Sequence, residues 1–403
     1  MRVSIVITTR YVSTPDGVVW ASFPATTLVQ RYLAVFDSVN IIARVQPMDA
    51  RDGKGFQVNE NGISVTSIPS FIGPFQYLLK QGTVRKSLKH AIAPDDAVIF
   101  REYGVLATPI LKQCLRAKRP FGFEVIGDPV DVFAPGTIKH PLRGLFHYLA
   151  PKAQRRLCSL ASAVSYVTKH TLQERYPASP NAFTTHYSSI QLEDQYFVKT
   201  PRSIDAFSIN NPRILFAGKL DQRYKGAHIL IDAFQRYYLK NRQGILVIAG
   251  DGKYRLAYET QAQNLGLREK IVFLGHLAGP EAVQQELLKA DLLVLPSLTE
   301  GLPRVVIEAM ACGTPCIASS VGGIPELLQE EDMFLPGSVD ALYEKMTEVL
   351  SCSNRLAAMS QRYLEAAKEY HGDILAQRRI EFYQYLYDET RKWVNGGISI
   401  HHD

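Results

Sequence analysis

The stretch "DLLVLPSLTEGLPRVVIEAMACGTPCIASS", Asp291 to Ser320, decides the fold. It opens on an apolar run of strand length and breaks at "TEG". It then continues as a helix-length segment, "LPRVVIEAMA", and closes on a second strand-length run, "TPCIASS". Strand, turn, helix and strand in this order make a parallel βαβ unit, whose strands are covered on both faces and read as continuous apolar runs. Pro303 falls in the first turn of the helix, where a missing N–H costs nothing, and Gly313 lies just past its end, as a C-cap does. Two carboxylates stand eight positions apart in it: Glu300 at the turn and Glu308 inside the helix.

The same pattern fills the chain. Five strand-length runs precede residue 170: "VSIVITT" (Val3–Thr9), "VNIIARV" (Val39–Val45), "DAVIFR" (Asp96–Arg101), "FGFEVIG" (Phe121–Gly127) and "SAVSYVT" (Ser162–Thr168). After a polar, turn-rich stretch at Tyr196–Pro212, five more follow: "PRILFAG", "GILVIAG", "KIVFLG", "DLLVLPS" and "TPCIASS". The reading is an α/β protein of two doubly wound domains in series, with the hinge in that stretch. Ligands of such sheets bind outside the carboxyl ends of the strands, so two facing domains make a cleft. Neither domain carries G-x-G-x-x-G after its first strand, which argues against a nicotinamide cofactor.

The bulk numbers agree. A chain of 403 residues, 46% hydrophobic and 21% charged, is ordinary for a globular protein and longer than one core needs. It has no run of 18 apolar residues, and "MRVSIVITTR" turns polar too early for a signal peptide, so a cytoplasmic protein is expected. Five scattered cysteines fit a reducing compartment; Cys312 and Cys316 read as small core thiols rather than metal ligands. The net charge of +6 does not argue for nucleic acid. Two stretches, Leu78–His90 and Ile138–Leu157, mix Lys and Arg with Leu, Phe and Tyr. They read either as solvated helix faces with a buried back or as a peripheral contact with anionic lipid at the inner face of the plasma membrane.

Glycines mark the strand ends of the second half: Gly218, Gly250, Gly252, Gly275, Gly322 and Gly323. Taken together they suggest a ligand laid across the sheet edge, close to backbone. The N–H groups near Gly301 and Leu302, before Pro303, make an anion site suited to a diphosphate, to which Lys219 and Lys225 add full charges. Glu308, about 7 Å into the helix, is too deep to cap it and needs donors such as a ribose diol supplies. Glu300 reaches hydroxyls beyond the phosphates. The bland alternative is a capping Glu300 and a Glu308 paired with a core arginine.

At these residues the chain resembles the retaining GT-B glycosyltransferases of family 4, the glycosyl transferases group 1. The carrying motifs are "FAGKLDQRYKG", "ILVIAGDG", "IVFLGHL" and "LPSLTEGLPRVVIEAMACGTPCIASSVGGIPELL", which together cover Pro212 to about Leu328. The last holds the family's E-x7-E pattern as Glu300 and Glu308. The resemblance implies an N-terminal acceptor-side domain (1–200), a C-terminal nucleotide-sugar domain (201–375), both Rossmann-like and facing across a cleft, and a C-terminal helix (376–403) returning to the first domain. It implies that Glu308 binds ribose, that Glu300 contacts the donor sugar, and that Lys219 and Lys225 hold the diphosphate with Gly218 and Gly301–Pro303. Backbone at His276 and Leu277 would touch the base, near Gly250. It further implies sugar transfer from a nucleotide-sugar donor, UDP before GDP, to a glycan or lipid-linked acceptor, with retention and with no metal or other cofactor.

The chain departs from the family twice. Lys219 stands where most members have Arg, keeping the charge without the bidentate fork. The His that many members carry after a first-domain strand is absent, and "FEVIGDPVDVF" places Gly127 and Asp128 there. Asp128 either positions acceptor or sugar hydroxyls or simply belongs to a turn. Gly17, in "TPDGVVW" (Thr14–Trp20), occupies the first-strand loop where the family contacts donor phosphate or acceptor. These departures leave a second class of function open, a non-catalytic sugar-nucleotide-binding scaffold.

Overall fold

In the computed structural model of the protein, the described residues are 1–21, 29–48, 55–59, 62–134, 137 and 140–396. Ile138 and Lys139 of the second basic stretch, and 397–403 of the expected terminal segment, lie outside them.

Two sheets organise these residues. The first comprises β1 (Arg2–Ser13), β2 (Val19–Ala21), β3 (Ser38–Pro47), β4 (Phe56–Gln57), β5 (Ile63–Pro69), β6 (Ala97–Phe100), β7 (Gly122–Val125), β8 (Ala163–Tyr166) and β9 (Phe183–His186). Its parallel part runs β5-β3-β1-β6-β7-β8-β9. The second comprises β10 (Arg213–Ala217), β11 (Ile245–Ala249), β12 (Ile271–Gly275), β13 (Leu292–Leu295), β14 (Cys316–Ser319) and β15 (Met333–Phe334), in the order β12-β11-β10-β13-β14-β15. In both sheets the first strand is central and the strand order reverses beside it. Loops leaving the two central strands then diverge to opposite faces and open a crevice at the carboxyl edge.

All ten strands expected from the apolar runs are present; most are buried on both faces and so have no polar side to interrupt them, while the edge strand β12 exposes Val272 and Leu274. The additional strands are short or lie at edges. β5 pairs only with β3 and buries only Ile63 and Ile68 of its seven residues. "TPDGVVW" is not an open loop: β1 passes an irregularity between Val6 and Arg10, continues to Ser13, and folds back antiparallel into β2. Gly17 sits at the exposed tip of that hairpin with φ +81°.

The helix of the decisive stretch spans Arg304–Ala311, with Pro303 as its N-cap. It ends in a Schellman arrangement, Gly313 N–H to Met310 O at 3.0 Å and Thr314 N–H to Ala309 O at 2.9 Å. The stretch expected to be a hinge is instead fastened to the second domain. Val198 N–H bonds Ala311 O, and the Arg202 guanidinium bonds the carbonyls of Leu287, Leu288 and Ala290. The C-terminal helix, Gly372–Asn395, returns to the first domain. Phe382, Tyr383 and Leu386 are buried there, and the Trp393 indole donates to Ala117 O at 3.0 Å.

The domains also meet beside the cleft. The Glu326 carboxylate of the second domain accepts the successive backbone N–H groups of Lys169, His170 and Thr171 of the first, at 2.5, 3.1 and 2.6 Å. Burial raises its proton affinity, but the bonds from Thr171, Lys169 and His170 outweigh it and leave the carboxyl below its ordinary value. A depressed folded-state value means stability present above the unfolded value, 4.5, and lost as pH falls through the folded one. Replacing Glu326 by Ala should therefore cost about 1 kcal/mol at pH 7, at the low end for a charge-assisted bond because the carboxylate is half-exposed. Thermal unfolding across pH should show the deficit shrinking below pH 4.5; a pH-independent deficit would assign it to packing.

Candidate active site

A groove of about 620 Å³ lies where the carboxyl edges of the two sheets face each other. Its first-domain wall includes Arg101, directly after β6, Ile126 after β7, Val167 after β8, and Ser188 and Ser189. Its second-domain wall is the loop after β10, with Gly218, Lys219, Asp221, Tyr224 and Lys225, and the segment after β13 from Glu300 to Glu308. These two loops leave the switch point of the second sheet, where the strand order places a ligand.

The loop packing sets the positions of Lys225 and Glu300. Leu298 N–H bonds Tyr224 O at 2.7 Å, tying the β13 loop to the β10 loop. Lys225 and Glu300 are thereby brought into an ion pair of 2.6 Å. Ser297 Oγ donates to the same oxygen, Oε1 of Glu300, also at 2.6 Å. Among the described residues Oε2 has no partner and remains available to a ligand hydroxyl. The Arg304–Ala311 helix presents an N-terminus that no side chain caps, and Arg304 adds a cation in its first turn.

Glu308 lines the groove one helical turn beyond Arg304 and is half-buried. Among the described residues, no hydrogen bond engages its carboxylate. Burial pushes its carboxyl above the ordinary value, and the Arg304 charge opposes that rise. Burial and the nearby Glu300 charge together push the Tyr224 phenol upward. A half-buried acid without donors is an acceptor awaiting a ligand's hydroxyls.

The groove gathers Gly218, Lys219, Lys225, Glu300, Leu302, Pro303 and Glu308. Gly301 adjoins them, and a Cβ on it would lie 3.7 Å from the Ile126 carbonyl across the cleft. Other expected site residues stand elsewhere. Asp128 is buried and caps the short helix Pro129–Val132; its carboxylate holds the Val130 N–H, the Arg175 guanidinium and the Tyr176 hydroxyl. Both of its oxygens are engaged within the first domain and it is not among the residues lining the groove, which favours the turn over the positioning role. Gly17 belongs to the hairpin turn and not to the groove wall. Gly250 is a glycine for a different reason than ligand approach: a Cβ there would overlap the Gly218 carbonyl. The strand ends pack backbone on backbone, and Gly322 does the same against Glu300 O. His276 and Leu277 follow β12, two strands from the switch point and so about 10 Å along the sheet edge from the groove. Only a ligand extending that far would reach their backbone.

Sequence reading missed Arg101, Ser188, Ser189, Asp221 and Arg304. A charged residue ending the buried run "VIFR" and the i, i+4 spacing of Arg304 and Glu308 were available signals for two of them. The serines carry none, since only the fold brings them to the edge.

This architecture, two facing doubly wound domains with a return helix, is the GT-B fold of glycosyltransferases. Residues 201–369 match the family described as "Glycosyl transferases group 1". The chain is 27% identical over 340 residues to protein CapJ of Staphylococcus aureus, covering 83% of this chain and 81% of that one. It is 29% identical over 247 residues to a GDP-mannose-dependent monoacylated phosphatidylinositol monomannoside mannosyltransferase of Corynebacterium glutamicum, covering 56% and 62%. Its fold matches Anabaena Alr3699/HepE in complex with UDP and glucose with a TM-score of 0.62 at 18% identity, over 94% of this chain and 98% of that one.

The raised Glu308 carboxyl has a stability consequence. The unfolded chain ionises it near 4.5 and the folded chain only at higher pH, so its ionisation costs stability as pH rises through that interval and at all pH above it. The ligand-free Glu308→Gln variant should therefore melt no lower than the parent at pH 7, with any advantage vanishing below pH 4.5. A variant melting clearly lower at pH 7 would show instead that the carboxylate is held by protein donors.

Proposed function

We propose that the protein transfers a sugar from a nucleotide-sugar donor, a UDP-sugar before a GDP-sugar, to a hydroxyl of a glycan or lipid-linked acceptor. Transfer proceeds with retention at the anomeric carbon and without a metal, in polysaccharide biosynthesis of the bacterial type. The observation that carries this reading is the convergence of Lys219, Lys225 and Arg304 with Glu300 and Glu308 in one groove at the switch point. Three cations and a helix N-terminus suit a diphosphate, and two acids suit the hydroxyl-bearing groups on either side of it.

The diphosphate lies against Lys219, Lys225 and Arg304, with the ribose diol donating to Glu308. The free Oε2 of Glu300 accepts from a hydroxyl of the donor sugar, while Lys225 and Ser297 fix its orientation through Oε1. As the glycosidic bond to phosphate breaks, charge accumulates on the diphosphate, where the preorganised cations stabilise it. This is the task a divalent metal performs in other enzymes. The acceptor oxygen attacks from the face that the phosphate leaves, and its proton passes to a departing phosphate oxygen, which gives retention. Closure of the two domains excludes the water that would otherwise hydrolyse the donor.

The acceptor side is compatible with a membrane surface. No helix among the described residues is long and apolar enough to cross a membrane. The first basic stretch forms the helix Gly73–Lys89, and it does not simply bury an apolar back: Phe75 and Leu79 are each 72% exposed. The helix Arg143–Leu160 likewise exposes Leu145, Tyr148 and Leu149 beside Arg143 and Lys152. Exposed apolar side chains among cations fit the headgroup region of anionic lipid.

Thermal denaturation with UDP, GDP and their sugar conjugates tests the donor reading. One nucleotide should raise the melting temperature, and Glu308→Ala should weaken its binding about 10- to 100-fold, the worth of hydrogen bonds to a charged group. Absence of any nucleotide effect, or unchanged affinity in the variant, overturns it. Sedimentation with anionic vesicles at low salt should pull down the parent, and Phe75→Ser/Leu79→Ser should escape; no sedimentation of the parent removes the membrane contact.

A further inference from the structure

The floor of the first domain holds a second charged cluster that the donor reading leaves unused. Glu124, at the carboxyl end of β7, is buried. It accepts the hydroxyls of Tyr32 at 2.6 Å, Tyr187 at 2.8 Å and Tyr383 at 3.2 Å, with Arg101 Nε 3.0 Å away. This acid is fully satisfied. Three guanidiniums nevertheless line the same small cavity, those of Arg31, Arg101 and Arg379, and Glu124 is the one carboxylate among the lining residues.

Two of these cations, Arg31 and Arg379, have no carboxylate partner among the described residues. Arg379, on the C-terminal return helix, is only 8% exposed. Among the described residues it makes no ion pair or hydrogen bond, and its guanidinium stacks over the Tyr187 ring at 5.2 Å. Arg31 reaches one carbonyl, Ser189 O at 3.2 Å, and its buried Nε has no partner. Burial lowers the proton affinity of Arg31 to about 10, with Arg379 and Arg101 adding repulsion. Guanidinium groups gathered side by side with one already engaged carboxylate repel one another, and an anion entering among them would relieve that repulsion.

We infer that Arg31, Arg101 and Arg379 form a binding site for an anionic group of the acceptor. This rests on the transferase reading and specifies its acceptor. The cavity, about 20 Å³, has room for about one oxygen atom of an entering anion, and it shares Arg101, Ile126, Val167 and Ser189 with the donor groove, from which the rest of the group would reach it. An acceptor anchored here by its anion presents its remaining atoms, including a hydroxyl, to the groove. The small volume and the planar guanidinium forks favour a carboxylate over a phosphate. The return helix thus does more than close the fold: it supplies Arg379 and Tyr383 to the acceptor side.

The test is thermal denaturation of the full chain in sodium glucuronate, in inorganic phosphate and in sodium chloride of equal ionic strength, with glucose as the neutral control and UDP and GDP in separate arms. The parent should melt about 2 °C higher in one of the two anions than in chloride, and glucose should have no such effect. Which anion acts identifies carboxylate or phosphate chemistry. Arg379→Gln should lose the effect, a fall of about tenfold or more in affinity, while its nucleotide shift persists. In chloride it should melt no lower than the parent, since it relieves the repulsion between neighbouring guanidinium groups; Arg31→Gln provides the same comparison should Arg379→Gln fail to fold. No anion effect in the parent, or its survival in the variants, overturns the inference, as does a large loss of stability in chloride. Absence of a shift with both UDP and GDP, beside an intact anion effect, would instead sink the donor reading and leave an anion site without an acceptor.

Discussion

The second domain depends on a close backbone contact at its switch point. The loop after β10 lies directly on the loop after β13: a Cβ on Gly226 would overlap the Pro296 carbonyl, and Leu298 N–H reaches Tyr224 O. Only a residue without a side chain, in the left-handed conformation that Gly226 adopts at φ +75°, allows this approach. Its neighbour Lys225 is consequently delivered to Glu300, and the groove acquires its charge arrangement. The glycines at the strand ends serve the packing of these loops first, and the shape of the ligand site follows from that packing.

Electrostatics then separates the acids by role. Glu300 is held by Lys225 and Ser297 on one oxygen and leaves the other free. Glu308 is half-buried without donors, and Glu124 is saturated by three tyrosines. Asp128 and Glu326 are both occupied by protein groups, the first as a helix cap and the second as a clasp between domains. Of these acids, those with unfilled bonding capacity are the two that face the groove. The first domain repeats the contrast with cations, where unpaired arginines collect at the same carboxyl edge.

The two domains are joined by more than one connection. The linker is pinned to the second domain by Arg202, the last helix returns to the first, and Glu326 bridges beside the cleft. The groove walls are therefore held at a defined separation, and closing them around a ligand must work against the few bonds that span the cleft.

Much of the fold was legible in the chain alone. Ten buried strands announced themselves as continuous apolar runs, and the helix between Pro303 and Gly313 carried its own stop signals, because both depend on local covalent and hydrophobic constraints. Lys219, Lys225, Glu300 and Glu308 were legible too, since they lie in one continuous motif-bearing half. The role of Asp128 stayed open because two of its partners lie some 47 positions later, and Ser188 and Ser189 were missed because only the fold brings them to the cleft. The Arg31, Arg101 and Arg379 cluster spans nearly the whole chain. Sequence determined the elements and their order through short-range periodicity; which charges remain unpaired was decided by tertiary structure, because pairing depends on distances that separation along the chain does not encode.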